Sequence, residues 1–373
     1  MFKKKKPAKK EKLILPNDLH ELGYKLDENE KLVTLDGQPY VFEKSDRQYN
    51  EALYDVIIET LGGYVREALQ SRCGLIKTIL PIGMTENDIH THIFLSPDYL
   101  TNENMCIFIP GTFHASGLWS RRMLTEKSIN DGGMVTYTKR ARSLGCSVLI
   151  TNPNEIYWYK GKAVVTLPKA TVPFDPIPEN ESPEAHLEYV FKHFIKPSAA
   201  KKIFIIANSY GGYCAVDLLQ KKFDELRHRV RAIEFAATTH SIDYVRKDSI
   251  KIWIREHCRN WVVADEPLLT EIIDPRFGCV NYSSGCQLYE FVLDAIIDQV
   301  FELISRKLQS DDEICAINDD LDDSEALQRE AEQIFGSSKI VQMPNGVHIL
   351  PSGGNPAMEE NGIAPEDLDP NWL

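Results

Sequence analysis

The chain has 373 residues, 43% of them apolar, which is enough material for one large hydrophobic core. Its formal net charge of −13 at pH 7 excludes a general nucleic-acid-binding surface. The eight cysteines lack paired spacing and no apolar run approaches membrane-spanning length, so the composition predicts a soluble intracellular protein with free thiols.

The first twelve residues contain seven lysines and one glutamate, and no apolar stretch follows them. A segment of this composition repels itself and buries nothing, so we expect residues 1–29 to be basic and largely disordered. Two interpretations of the run from Lys3 to Lys12 stay open. It is either a solubilising tail, or a functional segment that acts as a nuclear-import signal or contacts nucleic acid.

Periodicity in the next stretch predicts a hairpin, one long helix and two strands. Residues 31–42 have the pattern of a hairpin around Asp36-Gly37. Apolar residues at helical spacing predict a helix over residues 49–69, and apolar runs predict strands over 75–80 and 89–95.

Two histidines lie in the second of these strands. His90 and His92 are two residues apart, so they face the same side of the strand. Zinc normally needs three or four protein ligands, and the sequence offers no third ligand here. We therefore predict a solvated strand face and no metal site.

The middle of the chain alternates buried strands with long loops. A strand predicted over residues 105–109 ends in the loop 110–114, and a strand over 147–151 leads into a proline-rich connection over 152–182. A connection of this length at the carboxyl edge of a sheet is expected to lie over the site as a lid or a partner surface. Ser182-Pro183-Glu184 then opens a helix.

Residues 202–220 carry the strongest local signal in the sequence. Residues 203–206 are an apolar, mostly β-branched run typical of a strand buried on both faces, and helical spacing follows Gly211. Ser209 stands at the tip of the turn between strand and helix, flanked by the small residues Ala207 and Gly211. This is the pattern of a nucleophile elbow.

An elbow of this kind acts together with backbone amides that stabilise an oxyanion. One amide belongs to the residue after the nucleophile, here Tyr210, and the other to the loop after an earlier strand, here Gly111 or Thr112. The sequence therefore predicts oxyanion-like positions at Thr112 and Tyr210.

The rest of the chain completes an α/β pattern. Strands are predicted over residues 230–235, 261–264 and 278–282, and helices over 249–258 and 288–308. The alternation predicts an α/β fold with a mostly parallel central sheet flanked by helices, of α/β-hydrolase type.

Core periodicity covers only part of the chain, so we expect three segments. Residues 30–308 form one folded domain, between the basic N-terminal segment of residues 1–29 and an acidic, Pro/Gly/Asn-rich tail over 309–373.

Seven short motifs in this domain are similar to those of one family, in the same order along the chain. They are DRQYN at 46–50, LWSRR at 118–122, NPN at 152–154, SPE at 182–184, SYGG at 209–212, NWV at 260–262 and EPL at 266–268. The chain thus resembles the argonaute-binding-protein-two (Arb-two) domain family. This resemblance implies an α/β-hydrolase-like fold, no cofactor and a nuclear and cytoplasmic location. It also implies protein partners such as argonaute or chromatin-associated proteins, in small-RNA silencing or cotranscriptional regulation.

The resemblance also implies departures at the site. A histidine that precedes the elbow serine in the family is Asn208 here, and the aspartate after the next strand falls on Ala237. The histidine expected after the last strand is Tyr289. Ser209 then keeps its place as nucleophile but lacks an acid and a base, and a serine without a base is a weak nucleophile.

Two functions follow from this pattern. The first, which we favour, is a non-catalytic adaptor that uses the hydrolase scaffold as a surface. The second is a serine hydrolase in which Ser209 is served by relocated groups. The candidate bases are His240, His257 and His348, of which the last follows a predicted strand over 339–343, and the candidate acids are Asp243 and Asp265.

Overall fold

The computed structural model describes residues 15–42 and 46–310 in full, and the backbone of residues 340–343 and 346–349. The segment of residues 1–12 and most of residues 309–373 lie outside the described residues. The strands within residues 15–310 are β1 Tyr24–Leu26, β2 Leu32–Thr34, β3 Ile76–Leu80, β4 Thr91–Leu95, β5 Asn104–Ile109, β6 Ser147–Ile150, β7 Tyr157–Tyr159, β8 Lys162–Val164, β9 Asp175–Pro176, β10 Lys202–Asn208, β11 Val230–Ala236, β12 Cys258–Val262, β13 Glu271–Ile272 and β14 Val280–Ser283.

The helices within residues 46–310 include the five that the sequence predicts and four others that it does not. They are α1 Arg47–Ser71, α2 Arg121–Glu126, α3 Ile129–Gly132, α4 Val135–Ser143, α5 Pro183–Val190, α6 Tyr210–Lys221, α7 Phe223–Leu226, α8 Asp248–His257 and α9 Val292–Gln309. Capping residues fix two of their starts: Asp46 accepts a hydrogen bond from the Tyr49 N–H, and Ser182 accepts one from Ala185. None of the helices in this part of the chain is long and apolar enough to cross a bilayer.

One large sheet organises the described residues, in the order β13-β14-β12-β11-β10-β5-β6-β4-β3. The six neighbours from β14 to β6 run parallel, and β4 and β13 pair antiparallel at the two margins. β10 lies at the centre of the parallel strands, so its carboxyl end is at the middle of one sheet edge. The predicted α/β-hydrolase-like fold is confirmed.

Helices cover both faces of this sheet. Phe204 and Ile206 of β10 belong to a core that also contains residues of α1, α4 and α9. Ile203 and Ile205 alternate with them and point to the opposite face, where α6 packs on β10. Because β10 is buried on both sides, it is apolar without alternation, as a central parallel strand should be.

The N-terminal part of the domain differs from the sequence prediction. β2 pairs antiparallel with the upstream β1, and residues 40–42 form no strand; only a single bridge joins Val33 to Pro39. Leu19 is buried and Tyr24 packs on Tyr40, so the part of the predicted N-terminal segment from residue 15 onward is folded onto the domain. Local periodicity could not reveal a partner strand that is only three residues long.

The chain divides into two units, residues 1–316 and 317–373. In the second unit the strand predicted at 339–343 is present as β15 Ile340–Met343, which pairs antiparallel with β16 Gly346–Ile349. The side chain of His348 lies outside the described part of the structure, so its proposed role as a base stays a prediction.

Candidate functional site

The elbow predicted at Ser209 is present in the backbone. β10 ends at Asn208, Ser209 has φ 48° and ψ −122°, and α6 begins at Tyr210. A non-glycine residue with positive φ is strained by about 1 kcal/mol or more, so its surroundings must hold it. The Ser209 N–H donates to the Ala236 carbonyl at 2.9 Å, which ties the elbow to the end of β11.

Two glycines let the chain approach the elbow closely. A Cβ on Gly211 would lie 2.7 Å from the Pro110 carbonyl oxygen, and a Cβ on Gly111 would lie 3.0 Å from the Ser209 Cβ. The contact between the start of α6 and the loop after β5 therefore restricts position 211 to glycine, and at position 111 a larger residue would require the neighbouring Ser209 to shift. Thr112 follows Gly111 directly, so this contact brings it close to Ser209.

A cavity of about 470 Å³ opens at the elbow. It is lined by Tyr54, Thr112, Phe113, His114, Arg121, Arg122, Asn208, Ser209, Tyr289 and Glu290. Among the described residues, the N–H groups of Thr112 and Tyr210 donate to no acceptor. We call this space the Ser209 cavity. Thr112 and the strained Ser209 line it, whereas Tyr210 is not among the lining residues, and the oxyanion role of the two amides stays a prediction.

Ala237 and Tyr289 are the residues that the family resemblance assigns to the acid and the base, and that assignment stays a prediction. Ala237 follows β11 with φ 46°, and its N–H donates to the Trp261 carbonyl at 2.8 Å. Its side chain is a methyl group, so this position offers no carboxylate. Tyr289 lines the Ser209 cavity and is 58% exposed, but burial raises the pKa of its phenol above the ordinary value. A phenol of that kind stays protonated at neutral pH and cannot act as the base.

His240 does not reach the Ser209 cavity. It is buried, its Nδ1 accepts from the Thr238 hydroxyl at 2.9 Å, and its Nε2 donates to the Phe277 carbonyl at 2.9 Å. The lone pair that a base would need is therefore already used, and burial lowers the pKa of the ring further.

The other proposed groups lie elsewhere as well. His257 ends α8, where it stacks on Trp253 with ring centres 4.5 Å apart. Asp243 is exposed beside Ser241, and Asp265 is exposed and accepts from Gln287 at 3.0 Å. None of these three side chains lines the Ser209 cavity.

The structure instead brings His114 into the Ser209 cavity, a residue that sequence reasoning did not consider as a base. Its Nδ1 donates to the Gly111 carbonyl at 3.2 Å, and burial lowers the pKa of the ring, so the imidazole is neutral with Nε2 unprotonated. Among the described residues, no imidazole forms a hydrogen bond with the Ser209 hydroxyl. The sequence feature that could have identified His114 was its position three residues after Gly111 in the predicted oxyanion loop.

A second cavity of about 590 Å³ adjoins the first, and the two share Phe113 and Arg121 as lining residues. The β7–β8 hairpin forms one wall of it, so we call it the hairpin cavity. The connection over residues 152–182 was predicted to cover the elbow; it lines the hairpin cavity and contributes no residue to the Ser209 cavity. The prediction of a lid over Ser209 is wrong in that respect, because the connection folds into the small sheet of β7, β8 and β9.

His90 and His92 also line the hairpin cavity, but the predicted solvated strand face is wrong, because His90 is buried and the His92 Nε2 is shielded from solvent. His90 contacts Glu86 at 3.3 Å and packs on Trp158. No group of three or more potential metal ligands occurs among the described residues.

Several known proteins are similar to this chain. The chicken cotranscriptional regulator ARB2A homolog is 28% identical over 83% of this chain and 84% of its own length. Human cotranscriptional regulator ARB2A is 27% identical over 82% and 83%. Among solved structures, the histone deacetylase Clr3 matches with a TM-score of 0.44 and 13% identity over 73% of this chain and 41% of its own. A bacterial heroin esterase matches with a TM-score of 0.39 and 15% identity over 73% and 95%.

The family comparison covers most of the described domain, including β10, the elbow and β11. The model of the Arb2 domain matches residues 15–268, which is more than half of the chain. This chain belongs to the Arb2 domain family.

Proposed function

We propose that this chain is a non-catalytic adaptor in cotranscriptional regulation, built on an α/β-hydrolase scaffold. One observation carries the proposal: the elbow has the strained backbone of a nucleophile turn, but the residues that the family resemblance assigns to the acid and the base are Ala237 and Tyr289, which carry neither group. The loss of triad members lowers the rate of such a site by about four powers of ten or more. An α/β-hydrolase fold that has lost its catalytic residues can still serve as a binding surface.

The names of the relatives support the same role, since the chicken and human proteins are cotranscriptional regulators. We propose that the partners of this chain are proteins of the transcription and chromatin machinery, and that argonaute is one of them. An α/β-hydrolase surface that carries no triad leaves the fold free to present loops to such partners.

Activity-based labelling tests the missing chemistry. With a fluorophosphonate probe, we expect the full-length protein to react no faster than its Ser209→Ala variant, because the described structure gives the Ser209 hydroxyl no hydrogen-bonded base. Ester hydrolysis measured in parallel should equal the buffer rate. Rapid labelling that depends on Ser209 would contradict the adaptor proposal.

The same variant serves the partner experiment. Tagged wild type and Ser209→Ala should recover the same proteins from nuclear extract, with argonaute detected by antibody in both. Equal recovery supports a surface that is independent of the elbow. If Ser209→Ala loses its partners while its melting temperature is unchanged, the elbow itself is part of the binding site.

One observation favours a second function, a serine hydrolase in which His114 is the base. The ring lies in the Ser209 cavity with Nδ1 held by the Gly111 carbonyl, which leaves Nε2 free to take a proton, and the amides of Thr112 and Tyr210 are unoccupied. Labelling that is lost in both Ser209→Ala and His114→Gln would establish this function. Labelling that persists in His114→Gln would exclude His114 as the base.

We also propose that residues 3–12 direct the protein to the nucleus, since seven lysines stand at the start of an otherwise acidic chain. Replacing these lysines by alanine should shift a fluorescently tagged protein from the nucleus toward the cytoplasm. The matched control replaces seven surface lysines of the folded domain and should keep the wild-type distribution. An unchanged distribution of the first variant would leave the segment as a solubilising tail.

A further inference from the structure

The hairpin cavity carries charge that the adaptor role does not explain. Three of its four lysine or arginine residues are paired with carboxylates of the same cavity. Lys77 Nζ lies 2.8 Å from Glu86, Lys162 Nζ lies 2.5 Å from Glu59, and Arg121 pairs with Asp55.

Arg66 is the fourth cation, and it differs from the others. Among the described residues its guanidinium has no hydrogen bond to an acceptor and no ion pair, although the residue is only partly exposed. Gly62, one turn earlier in α1, leaves space for it: a Cβ there would lie 3.1 Å from Arg66 Nη1. The guanidinium therefore lies along the helix at the cavity wall, with five N–H donors to offer.

His92 stands in the same wall. Its Nε2 is buried and has no hydrogen-bond partner among the described residues, and its ring packs edge-on against Phe94. Burial, helped by the charges of Lys77 and Arg66, lowers the pKa of His92 to about 3, so the ring is neutral and one nitrogen remains a hydrogen-bond donor. The Arg66 guanidinium and the His92 ring thus line one cavity, and because Nε2 is shielded from solvent, the nitrogen of His92 that would donate to a ligand there is Nδ1.

From this arrangement we propose that the hairpin cavity binds the carboxylate or phosphate group of a small organic anion through Arg66, with His92 as a second donor. Arginine recognises both groups through parallel N–H bonds, and such charge-assisted hydrogen bonds are strong. The rest of the ligand is apolar, because Ile58, Leu118 and Phe113 line the same space. This inference does not depend on the adaptor role.

Phe113 lies between the hairpin cavity and the Ser209 cavity and indicates how a bound ligand would be oriented. Phe113 is 55% exposed, has φ 64° and lines both cavities. A bulky residue in this backbone conformation is a genuine outlier, of the kind that occurs at ligand sites. An anion held at Arg66 would place its apolar body against Phe113, next to the Ser209 cavity.

One carboxylate opposes the anion and makes the test sharper. Glu155 lines the cavity and is held by neutral donors: Asn152 Nδ2 at 2.6 Å and the Ser116 N–H at 3.3 Å. Its charge is not neutralised by a cation, so it repels an incoming anion. The variant Glu155→Gln should therefore bind the anion more tightly, and Arg66→Gln more weakly.

The experiment is calorimetric titration of the full chain at low salt with phenyl phosphate, phenylacetate and the uncharged benzyl alcohol. We expect the anions to bind at least about tenfold more tightly than the alcohol, and Arg66→Gln to lose that advantage. Arg66→Lys should keep part of it. The matched control is Arg72→Gln, at the residue that follows the last turn of α1, which removes a guanidinium already paired with Glu30 at 2.6 Å and should bind like wild type.

Several outcomes would overturn the proposal. They are equal binding of alcohol and anions, unchanged affinity in Arg66→Gln, or no heat from either anion up to about 10 mM. Melting curves of all variants establish that each is folded. A preference for phenyl phosphate over phenylacetate, or the reverse, assigns the anionic group.

Discussion

Replacing Glu234 by alanine is expected to destabilise the folded protein by about 3–5 kcal/mol, because it leaves a buried charge without a partner. Glu234 lies in β11 and is 2% exposed. Its Oε1 accepts from Arg259 Nε and its Oε2 from Trp261 Nε1, both at 2.8 Å. Burial raises the pKa of this carboxyl, and Arg259 opposes that change.

The cluster supports the elbow as well as the core. Arg259 and Trp261 belong to β12, and the Trp261 carbonyl accepts from Ala237 while the Ala236 carbonyl accepts from Ser209. Glu234→Ala would leave the Arg259 guanidinium and the Trp261 indole N–H without an acceptor. Glu234 is two residues before Ala236, so the loss occurs close to the hydrogen bonds that hold the elbow. Each unsatisfied buried donor costs about 1–3 kcal/mol, and a charged one costs more.

Urea unfolding at pH 7.5 measures the effect. Glu234→Gln, which keeps the volume and one acceptor, should lose less stability than Glu234→Ala. The matched control is Glu51→Ala, which removes an exposed pair with Arg47 and should change the free energy of unfolding by less than about 0.5 kcal/mol. A Glu234→Ala variant within about 1 kcal/mol of wild type would contradict the argument.

The fold was predictable where the signal is local. β10, Ser209 and α6 follow from a buried run, small residues at a strained turn and resumed helical spacing, all within twenty residues. The start of β12 was missed because Cys258, Arg259 and Asn260 continue the pattern of the preceding helix. Arg259 lies in a buried strand only because Glu234, distant in sequence, neutralises it.

In the candidate site, too, features that depend on local sequence were predictable and features that depend on distant residues were not. The elbow pattern indicated Thr112 and the family resemblance indicated Tyr289; both residues line the Ser209 cavity, since loops at the carboxyl edge of a parallel sheet converge. His114 was missed because the expected base follows the nucleophile in chain order, and this histidine precedes it. The hairpin cavity could not be foreseen, because it depends on α1 packing Arg66 near β4 and on a small sheet formed within a proline-rich connection.

The connection over residues 152–182 is held by a histidine that must stay neutral. His186 is fully buried, its Nδ1 donates to Asn180 Oδ1 at 2.8 Å, and its Nε2 accepts from the Asn152 N–H at 2.9 Å. Protonation would place two donors against each other at Nε2. Burial accordingly lowers the pKa of His186 to about 3, and the pKa of His92 is lowered to the same value.

Acidification is therefore expected to destabilise the protein well before its carboxylates titrate. In the unfolded chain a histidine has a pKa of about 6.5. Between pH 6.5 and 3, His186 and His92 are therefore protonated in the unfolded state but remain neutral in the folded state. The stabilising effect of the neutral rings is complete above pH 6.5 and is lost as the pH falls. Each ring costs up to about 1.4 kcal/mol per pH unit, so His186 alone removes about 2 kcal/mol between pH 6.5 and 5.0.

The measurement is the free energy of unfolding in urea at several pH values between 5.0 and 7.5, for wild type and His186→Gln. Glutamine keeps an acceptor for Asn152 and a donor for Asn180, so the variant should fold, with a lower stability at pH 7.5 and a shallower decline in acid. The difference in slope should approach 1.4 kcal/mol per pH unit, about one proton. Burial also lowers the pKa of His114, His240 and His257, which steepens both curves equally and leaves their difference unchanged. Parallel curves for the two proteins would show that His186 titrates alike in the folded and unfolded chain, and would contradict the role of its two hydrogen bonds.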